Sequence, residues 1–247
     1  MKTAKRISGS FFFITMLFIN PLFFKTALCS CGAVKTSESE TIKGRLNTII
    51  ELPNPVTNGE VSLERTLSLR RSVRNYSQTP LNLEEIGQML WAAQGVTESR
   101  RGFRTAPSAG ATFPLRVYVM VNRVSDINAG IYLYHPNEHR IKLKKEGEFA
   151  SNLAGTALGQ SMFEEASAVF IISAVFENTT QRYGDRGIRY VYNEVGHAAQ
   201  NLLLQAVALE AGVVVVGAFN DEAVNSLLEL PAGESVIYLL PAGKLLD

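Results

Sequence analysis

The sequence has few of the residues on which many enzymes depend. Its 247 residues include two cysteines and three histidines, and both cysteines, Cys29 and Cys31, fall near the start of the chain. The remainder therefore has no disulfide framework and no thiol nucleophile. It also lacks a Ser/His/Asp pattern and a glycine-rich phosphate loop. The sequence thus gives no sign of a protein nucleophile.

Charge of one sign is also scarce. The formal net charge is +1, with 46% hydrophobic and 19% charged residues. This composition predicts a globular domain with a core of its own, and it gives no reason to expect a nucleic acid or an acidic partner. No internal repeat is visible. We expect one domain, at residues 63–247.

The N-terminus has the order of an export signal. Lys2, Lys5 and Arg6 precede an apolar run at 11–24 that is too short and too interrupted for a permanent membrane span. The following Leu28-Cys29-Ser30-Cys31 resembles a bacterial lipobox, which predicts an exported, lipid-anchored protein with Cys31 modified. Plain cleavage by signal peptidase, giving a periplasmic or extracytoplasmic protein, is the alternative. Residues 1–31 are then the signal, and 32–62 are a polar tether and lead-in.

Four residues form a candidate phosphate-binding segment: Arg70, Arg71, Ser72 and Arg74. A guanidinium offers a fork of donors that matches two phosphate oxygens, and several can act on one phosphomonoester. We call residues 70–74 the arginine segment. The alternative is a solvated basic surface.

A second candidate is the stretch from Arg104 to Pro114, which is rich in small residues at 105–112. Its amides and hydroxyls can approach a flat ligand closely, because no long side chain holds the ligand away. We call residues 105–112 the small-residue loop. An ordinary turn is the alternative.

Periodicity and end signals predict an α+β domain with a mixed sheet. The predicted helices are residues 82–94, with Asn82 as N-cap and Gly95 as the stop, then 149–157, 181–211 and 221–228. The predicted strands are 115–121, a hairpin at 130–137 and 139–144, a fully buried strand at 166–176, then 213–216 and 235–240.

These motifs together resemble the FMN-dependent nitroreductase superfamily, in its SagB/ThcOx-type dehydrogenase branch. The matching stretches are residues 71–76, 90–95, 106–111, 130–136 and 196–202. The resemblance implies a nitroreductase-like fold, bound FMN, and a homodimer with the flavins at its interface. It implies hydride exchange between flavin and a small or peptidic substrate, with NAD(P)H as one candidate electron donor.

The resemblance also assigns positions. Arg70, Ser72 and Arg74 would hold the FMN phosphate, with Arg71 close by. Part of the small-residue loop would lie against the flavin ring, commonly that of the partner subunit. Two further contacts would come from the backbone around Gly217 and from Lys244. The ring-facing residues are Pro107, Ser108, Ala109, Gly110 and Thr112.

The branch has a Lys-Tyr pair as its candidate acid/base couple, and here the pair is Arg182-Tyr183. An arginine does not lose its proton at working pH, whereas Tyr183 can donate or relay one. The alternative is a surface pair at a helix start. The departure from lysine puts the azoline oxidation found in that branch in doubt for this chain. The rival function is an exported FMN-binding surface module without turnover.

Glu194 and His197 stand at i and i+3 of a predicted helix, which is half of a carboxylate-bridged metal site. The second half is missing from the sequence. We therefore expect no metal, and we expect His197, beside Gly196, to be a packed polar residue at a close helix contact.

Overall fold

The structure, a computed structural model, describes residues 48–246. A seven-stranded sheet has the order β1-β6-β5-β4-β7-β9-β8, and β2 pairs with β3 in a separate ribbon. The strands are β1 Ile49–Glu51, β2 Val96–Glu98, β3 Phe103–Arg104, β4 Leu115–Val121, β5 Gly130–His135, β6 Arg140–Glu146, β7 Ala168–Val175, β8 Ala211–Val213 and β9 Glu234–Lys244.

Seven α-helices in the described part of the chain flank the sheet. They are α1 Leu63–Leu69, α2 Leu83–Gln94, α3 Ala150–Thr156, α4 Met162–Glu165, α5 Glu177–Tyr183, α6 Arg186–Ala208 and α7 Asp221–Leu227. The predicted boundaries of α2 are confirmed. The Asn82 side chain accepts from the Glu85 N–H, and Glu85 returns the bond to the Asn82 N–H, which closes a capping box.

Pairing between neighbouring strands of the large sheet is antiparallel throughout. Parallel pairing enters only at isolated bridges within the described residues, Ser72 with Val213 and Leu81 with Val124. These bridges make the sheet mixed, as expected, and the first fastens the arginine segment to the edge strand β8.

Strand β7 divides the core into two halves. Phe170 and Ile172 point to one side, where α2 and α6 pack, and Val169 and Ile171 point to the other, where α3, α4 and α7 pack. Both faces of β7 are buried, as its apolar β-branched run predicts.

The prediction of one helix over 181–211 is wrong. Gly184 adopts a left-handed φ of 57° and ends α5, and α6 begins two residues later. A Cβ at Gly187 would lie 2.9 Å from the Thr180 backbone, so the two helices fold closely against each other. Helix α6 also ends at Ala208, and residues 211–213 form β8 instead of continuing the helix.

Within residues 48–246, no helix combines the length and the apolar character needed to cross a bilayer. The predicted export signal, Cys31 and most of the tether lie outside the described residues.

Candidate functional site

The arginine segment lies at the end of α1, along the outer edge of the sheet. The Val73 N–H donates to Val213 O at 3.2 Å, which extends the Ser72 bridge. Buried Tyr76 fixes the exit of the segment, because its hydroxyl is 2.8 Å from Val73 O and 2.9 Å from Pro241 O. The backbone is therefore anchored, while Ser72 and Arg74 remain exposed.

The three arginines of the segment differ in their contacts. Arg71 Nη1 donates to Ser68 O at 3.0 Å and Arg70 O at 2.8 Å, which satisfies carbonyls at the end of α1. Within residues 48–246, the side chains of Arg70 and Arg74 form no hydrogen bond or salt bridge. Two guanidinium groups and the Ser72 hydroxyl are thus available to an anion at this edge.

Two other predicted positions are Lys244 and Gly217. The Lys244 carbonyl accepts from the Ser77 N–H at 2.9 Å, which brings Lys244 beside the arginine segment. Its ammonium is paired with Glu85, the capping-box residue of α2. Gly217 is exposed and follows Val216, which bridges to Leu239 of β9.

The small-residue loop is a rigid turn. It contains a 3₁₀ turn, Ala109–Ala111, in which Gly110 has φ 59° and Ala111 φ 53°. Ser108 Oγ accepts from the Phe113 N–H at 2.9 Å, and Thr112 Oγ1 lies 2.8 Å from Thr179 Oγ1 of α5. These bonds hold the loop while Pro107 and Gly110 stay exposed.

Arg182 and Tyr183 reach this loop. Arg182 Nη1 donates to Gly110 O at 2.9 Å, and a Cβ added at Gly110 would lie 2.5 Å from the Tyr183 hydroxyl. The ring of Tyr183 packs edge-on against Tyr190 at 5.1 Å between centroids. The helix break at Gly184 lets the last turn of α5 face the loop, so the pair belongs to the candidate site.

Glu194 is a site residue that sequence reasoning missed in this role. It is 2% exposed and lies under the loop, where it interacts with the Ser108 hydroxyl and the Ala109 N–H. Its Oε1 has no hydrogen-bond partner among the described residues. Burial raises the pKa of this carboxyl to about 7, against the opposing effects of those two hydrogen bonds and of the Arg104 charge.

The expectation for His197 is wrong. His197 is exposed, and a Cβ at Gly196 would have no neighbour within 4 Å, so neither residue packs closely against another element among residues 48–246. Residues 48–246 contain no group of three or more His, Cys, Asp or Glu placed to hold a metal ion.

The arginine segment and the small-residue loop are far apart in one chain. Both adjoin α6, but the loop rests on Glu194 whereas Val207 shares a cavity of about 710 Å³ with Arg71 and Lys244. Thirteen residues separate Glu194 from Val207, which corresponds to about 20 Å along a helix.

Comparison with known proteins identifies the family. The model of the nitroreductase family matches residues 67–244, which include both the arginine segment and the loop. The chain belongs to the nitroreductase family. It is a nitroreductase-family oxidoreductase with the corresponding α+β fold.

Individual relatives agree with this assignment. The chain is 46% identical over 188 residues to the Methanocaldococcus jannaschii protein named "Putative nitroreductase MJ1384", which covers 76% of this chain and 93% of the relative. A crystal structure described as a nitroreductase of Ralstonia eutropha JMP134 has 29% identity and a TM-score of 0.71 over 81% of this chain and 90% of that one.

A more distant structure shares the fold. The Escherichia coli microcin synthetase McbBCD, in complex with truncated pro-MccB17, aligns with 19% identity and a TM-score of 0.63, over 87% of this chain and 84% of that chain.

Proposed function

We propose that this nitroreductase-family oxidoreductase is an FMN enzyme of the SagB/ThcOx type that exchanges hydride with a small or peptidic substrate. The observation that carries the proposal is the pair of guanidinium groups beside Ser72 that have no partner among residues 48–246, on a backbone held by β8 and Tyr76. An exposed segment of this kind, fixed in position before any ligand binds, fits a terminal phosphate.

The residues present fit FMN. A phosphomonoester carries about −1.5 to −2 charge at pH 7, which Arg70 and Arg74 can balance while Ser72 donates a further hydrogen bond. The loop offers exposed Pro107 and Gly110 to a flat ring, with no long side chain between them. When bound, the flavin supplies the hydride chemistry, and the chain supplies binding, orientation and charge stabilisation.

The assignment of FMN to these residues favours a homodimer. Because the loop lies about 20 Å along α6 from the arginine segment of its own chain, we infer that it serves the flavin of a second copy. Helix α6 also exposes Ile188 and Tyr192. Sedimentation of the holoprotein tests this point, and a monomer with flavin fully bound would contradict it.

Tyr183 is the candidate proton donor at the loop. Its hydroxyl lies beside Gly110, at the surface where we place the ring. Arg182 remains charged and binds the Gly110 carbonyl, so it positions the loop and does not act as a base. Tyr183→Phe should slow a step that needs a proton and leave FMN affinity unchanged.

A peptidic substrate receives support from one structural neighbour, the microcin synthetase, which was captured with a truncated pro-peptide. That likeness concerns the fold, so both small molecules and peptides belong in the assay. NADH and NADPH are the first candidate electron donors.

Stopped-flow reduction of the bound flavin tests the proposal. Bleaching of the flavin spectrum by a nicotinamide or a candidate substrate, followed by reoxidation, is the expected result. FMN binding without reduction by any of them would favour the rival, a surface module without turnover. A colourless protein that takes up no FMN would overturn both.

We also propose that the chain is exported and held at a bacterial membrane through Cys31. The support is the order of basic start, apolar run, Leu-Cys-Ser-Cys and polar tether. Membrane fractionation of a Cys31→Ser variant tests it. An unmodified N-terminus by mass spectrometry, with unchanged membrane association, would refute lipid anchoring.

A further inference from the structure

A small polar cavity lies behind the small-residue loop. Its volume is about 200 Å³, and it is distinct from the predicted site residues, none of which lines it. Arg104, just before the loop, and Phe113, just after it, form two of its walls. Its other polar lining residues are Gln94, Arg116, Tyr134, His135 and Asn178.

Three buried nitrogens on these residues have no hydrogen-bond partner among the described residues. They are Gln94 Nε2, Arg104 Nε and His135 Nε2, out of seven such side-chain atoms in the described chain. Gln94 is 1% exposed. Leaving a buried donor unpaired costs about 1–3 kcal/mol. All three nitrogens belong to residues that line this one cavity, which favours an acceptor there.

Two of the three nitrogens fix the chemistry of that acceptor, because an amide NH₂ and a guanidinium Nε can only donate. Arg104 Nη1 already donates to Gln94 Oε1 at 2.9 Å, and its guanidinium lies 4.4 Å from the centroid of the Phe113 ring. This stacking and the shared bond hold both donors in place.

The charge balance around the cavity also favours an anion. Arg104 has no carboxylate within 4 Å among the described residues; Arg116 is paired with Glu234 at 3.4 Å. The Glu194 carboxyl on α6 interacts electrostatically with Arg104, and Glu138 does so with His135. Burial lowers the pKa of the His135 imidazole. The Arg104 charge is thus half-buried with no salt bridge.

We propose that this cavity is a binding site for a small anion with at least two acceptor oxygens, a carboxylate or an inorganic oxyanion, bound by Gln94 Nε2 and Arg104 Nε. A water molecule occupies about 30 Å³ in the liquid, so the cavity admits a ligand of several heavy atoms and excludes a nucleotide. The ligand would contact residues on both sides of the loop and stiffen it.

Thermal unfolding of the full chain tests this proposal without any assay of turnover. Formate, acetate and sulfate are compared with chloride at equal ionic strength. A probe at about five times its Kd should raise the midpoint by about 2–4 °C. A rise with formate and acetate alone identifies a carboxylate site, and a rise with sulfate as well identifies an oxyanion site. No rise with any probe would show that the cavity holds water only.

Sulfate could also bind at the arginine segment. Each titration is therefore repeated in an Arg70→Gln/Arg74→Gln double variant, in which the rise due to the cavity should persist. A rise that disappears there would assign the anion to the arginine segment and overturn the proposal. The outcome for FMN binding is read separately in the same variant.

Two matched substitutions on α2 locate the site. Gln94→Glu replaces the unpaired donor with a carboxylate oxygen beside Arg104, so it should raise the midpoint in chloride and abolish the anion effect. Gln88 is a buried glutamine whose side-chain amide accepts from the Val56 N–H and donates to Val56 O and to Gln205 Oε1. Gln88→Glu should lower the midpoint and keep the anion effect. Retention of the full effect in Gln94→Glu would overturn the proposal.

Discussion

Hydrogen bonds fix both the arginine segment and the small-residue loop, but they leave different groups available to a ligand. In the segment, the backbone is bound to Val213, while the side chains of Arg70 and Arg74 have no partner in the part of the chain that the structure describes. In the loop, side chains from α5 and α6 bind the backbone and leave its outer surface bare. One region keeps its side chains available, and the other keeps its backbone available. This difference suits a ligand with a charged end and a flat end.

The sharpest way to test the contrast is to remove the charges at one end. Arg70→Gln/Arg74→Gln should weaken FMN binding by about 10²- to 10⁴-fold, because each lost charge-assisted contact is worth about 1.5–3 kcal/mol. The unfolding free energy without FMN should change by less than about 1 kcal/mol, since neither side chain has a protein partner. Flavin fluorescence titration and chemical denaturation measure the two quantities.

Arg71→Gln is the control for that experiment. Its guanidinium already binds carbonyls at the end of α1, so a smaller effect on FMN affinity is expected. If single Arg70→Gln and Arg74→Gln variants lost no more FMN affinity than Arg71→Gln does, the hydrogen bonds of these arginines would not decide which of them binds the phosphate.

The second experiment removes the charge beneath the loop. Because the pKa of Glu194 rises from 4.5 to about 7, the folded state holds a proton that the unfolded state releases. The unfolding free energy should therefore fall by about 3 kcal/mol as pH rises from about 4.5 to 7, and then level off. Glu194→Gln should remove this slope.

Denaturation series at several pH values give the slope directly. The exposed Glu60→Gln variant is the control and should keep the wild-type slope. An unchanged slope in Glu194→Gln would show that another group is responsible.

The third experiment adds a methyl group to the exposed surface of the loop. Gly110→Ala should cost about 2 kcal/mol, because residue 110 has a positive φ and its new Cβ would meet Tyr183 and Arg182. Ala111→Gly, at φ 53°, should instead stabilise the protein by up to about 1 kcal/mol. Thermal denaturation compares them, and the same sign for both would contradict the conformation of the turn.

The smallest loss of stability is expected on removing the exposed hydrogen bond between Arg182 and the loop. Arg182→Gln removes one exposed hydrogen bond to Gly110 O and should cost less than about 1 kcal/mol. Arg186→Gln, an exposed arginine without that bond, should cost nothing measurable. A larger loss at position 182 would mean that the loop depends on α5 more than on Glu194.

The sequence predicted the elements whose signals are local. Helix α2 has both of its end signals in the chain, and β4 was predicted with the bounds that it has. The break at Gly184 was missed because a single glycine is tolerated within a helical pattern. That error hid the reason that Arg182 can face the loop.

Most residues predicted for the site fall in two groups, one around the arginine segment and one around the small-residue loop. Sequence alone could not show that Lys244 pairs with Glu85, which lies 159 positions away. Glu194 did carry a signal. It falls between Val191 and Val195 on the apolar stripe of α6, and an acidic residue on a buried face calls for a partner. Which partner it finds depends on the tertiary packing of the loop, which periodicity does not report.

Strand β1 has a mechanical consequence. It lies at the edge of the sheet opposite β8, six strand spacings or roughly 29 Å from that strand. A force applied through residues before 48 would act first on the pairing of the three-residue strand β1. It would then act on the hydrogen bond between His139 and Pro53 O, and after that on the hydrogen bond from Gln88 to Val56 O. We expect these contacts to break one after another before the tension reaches Arg70.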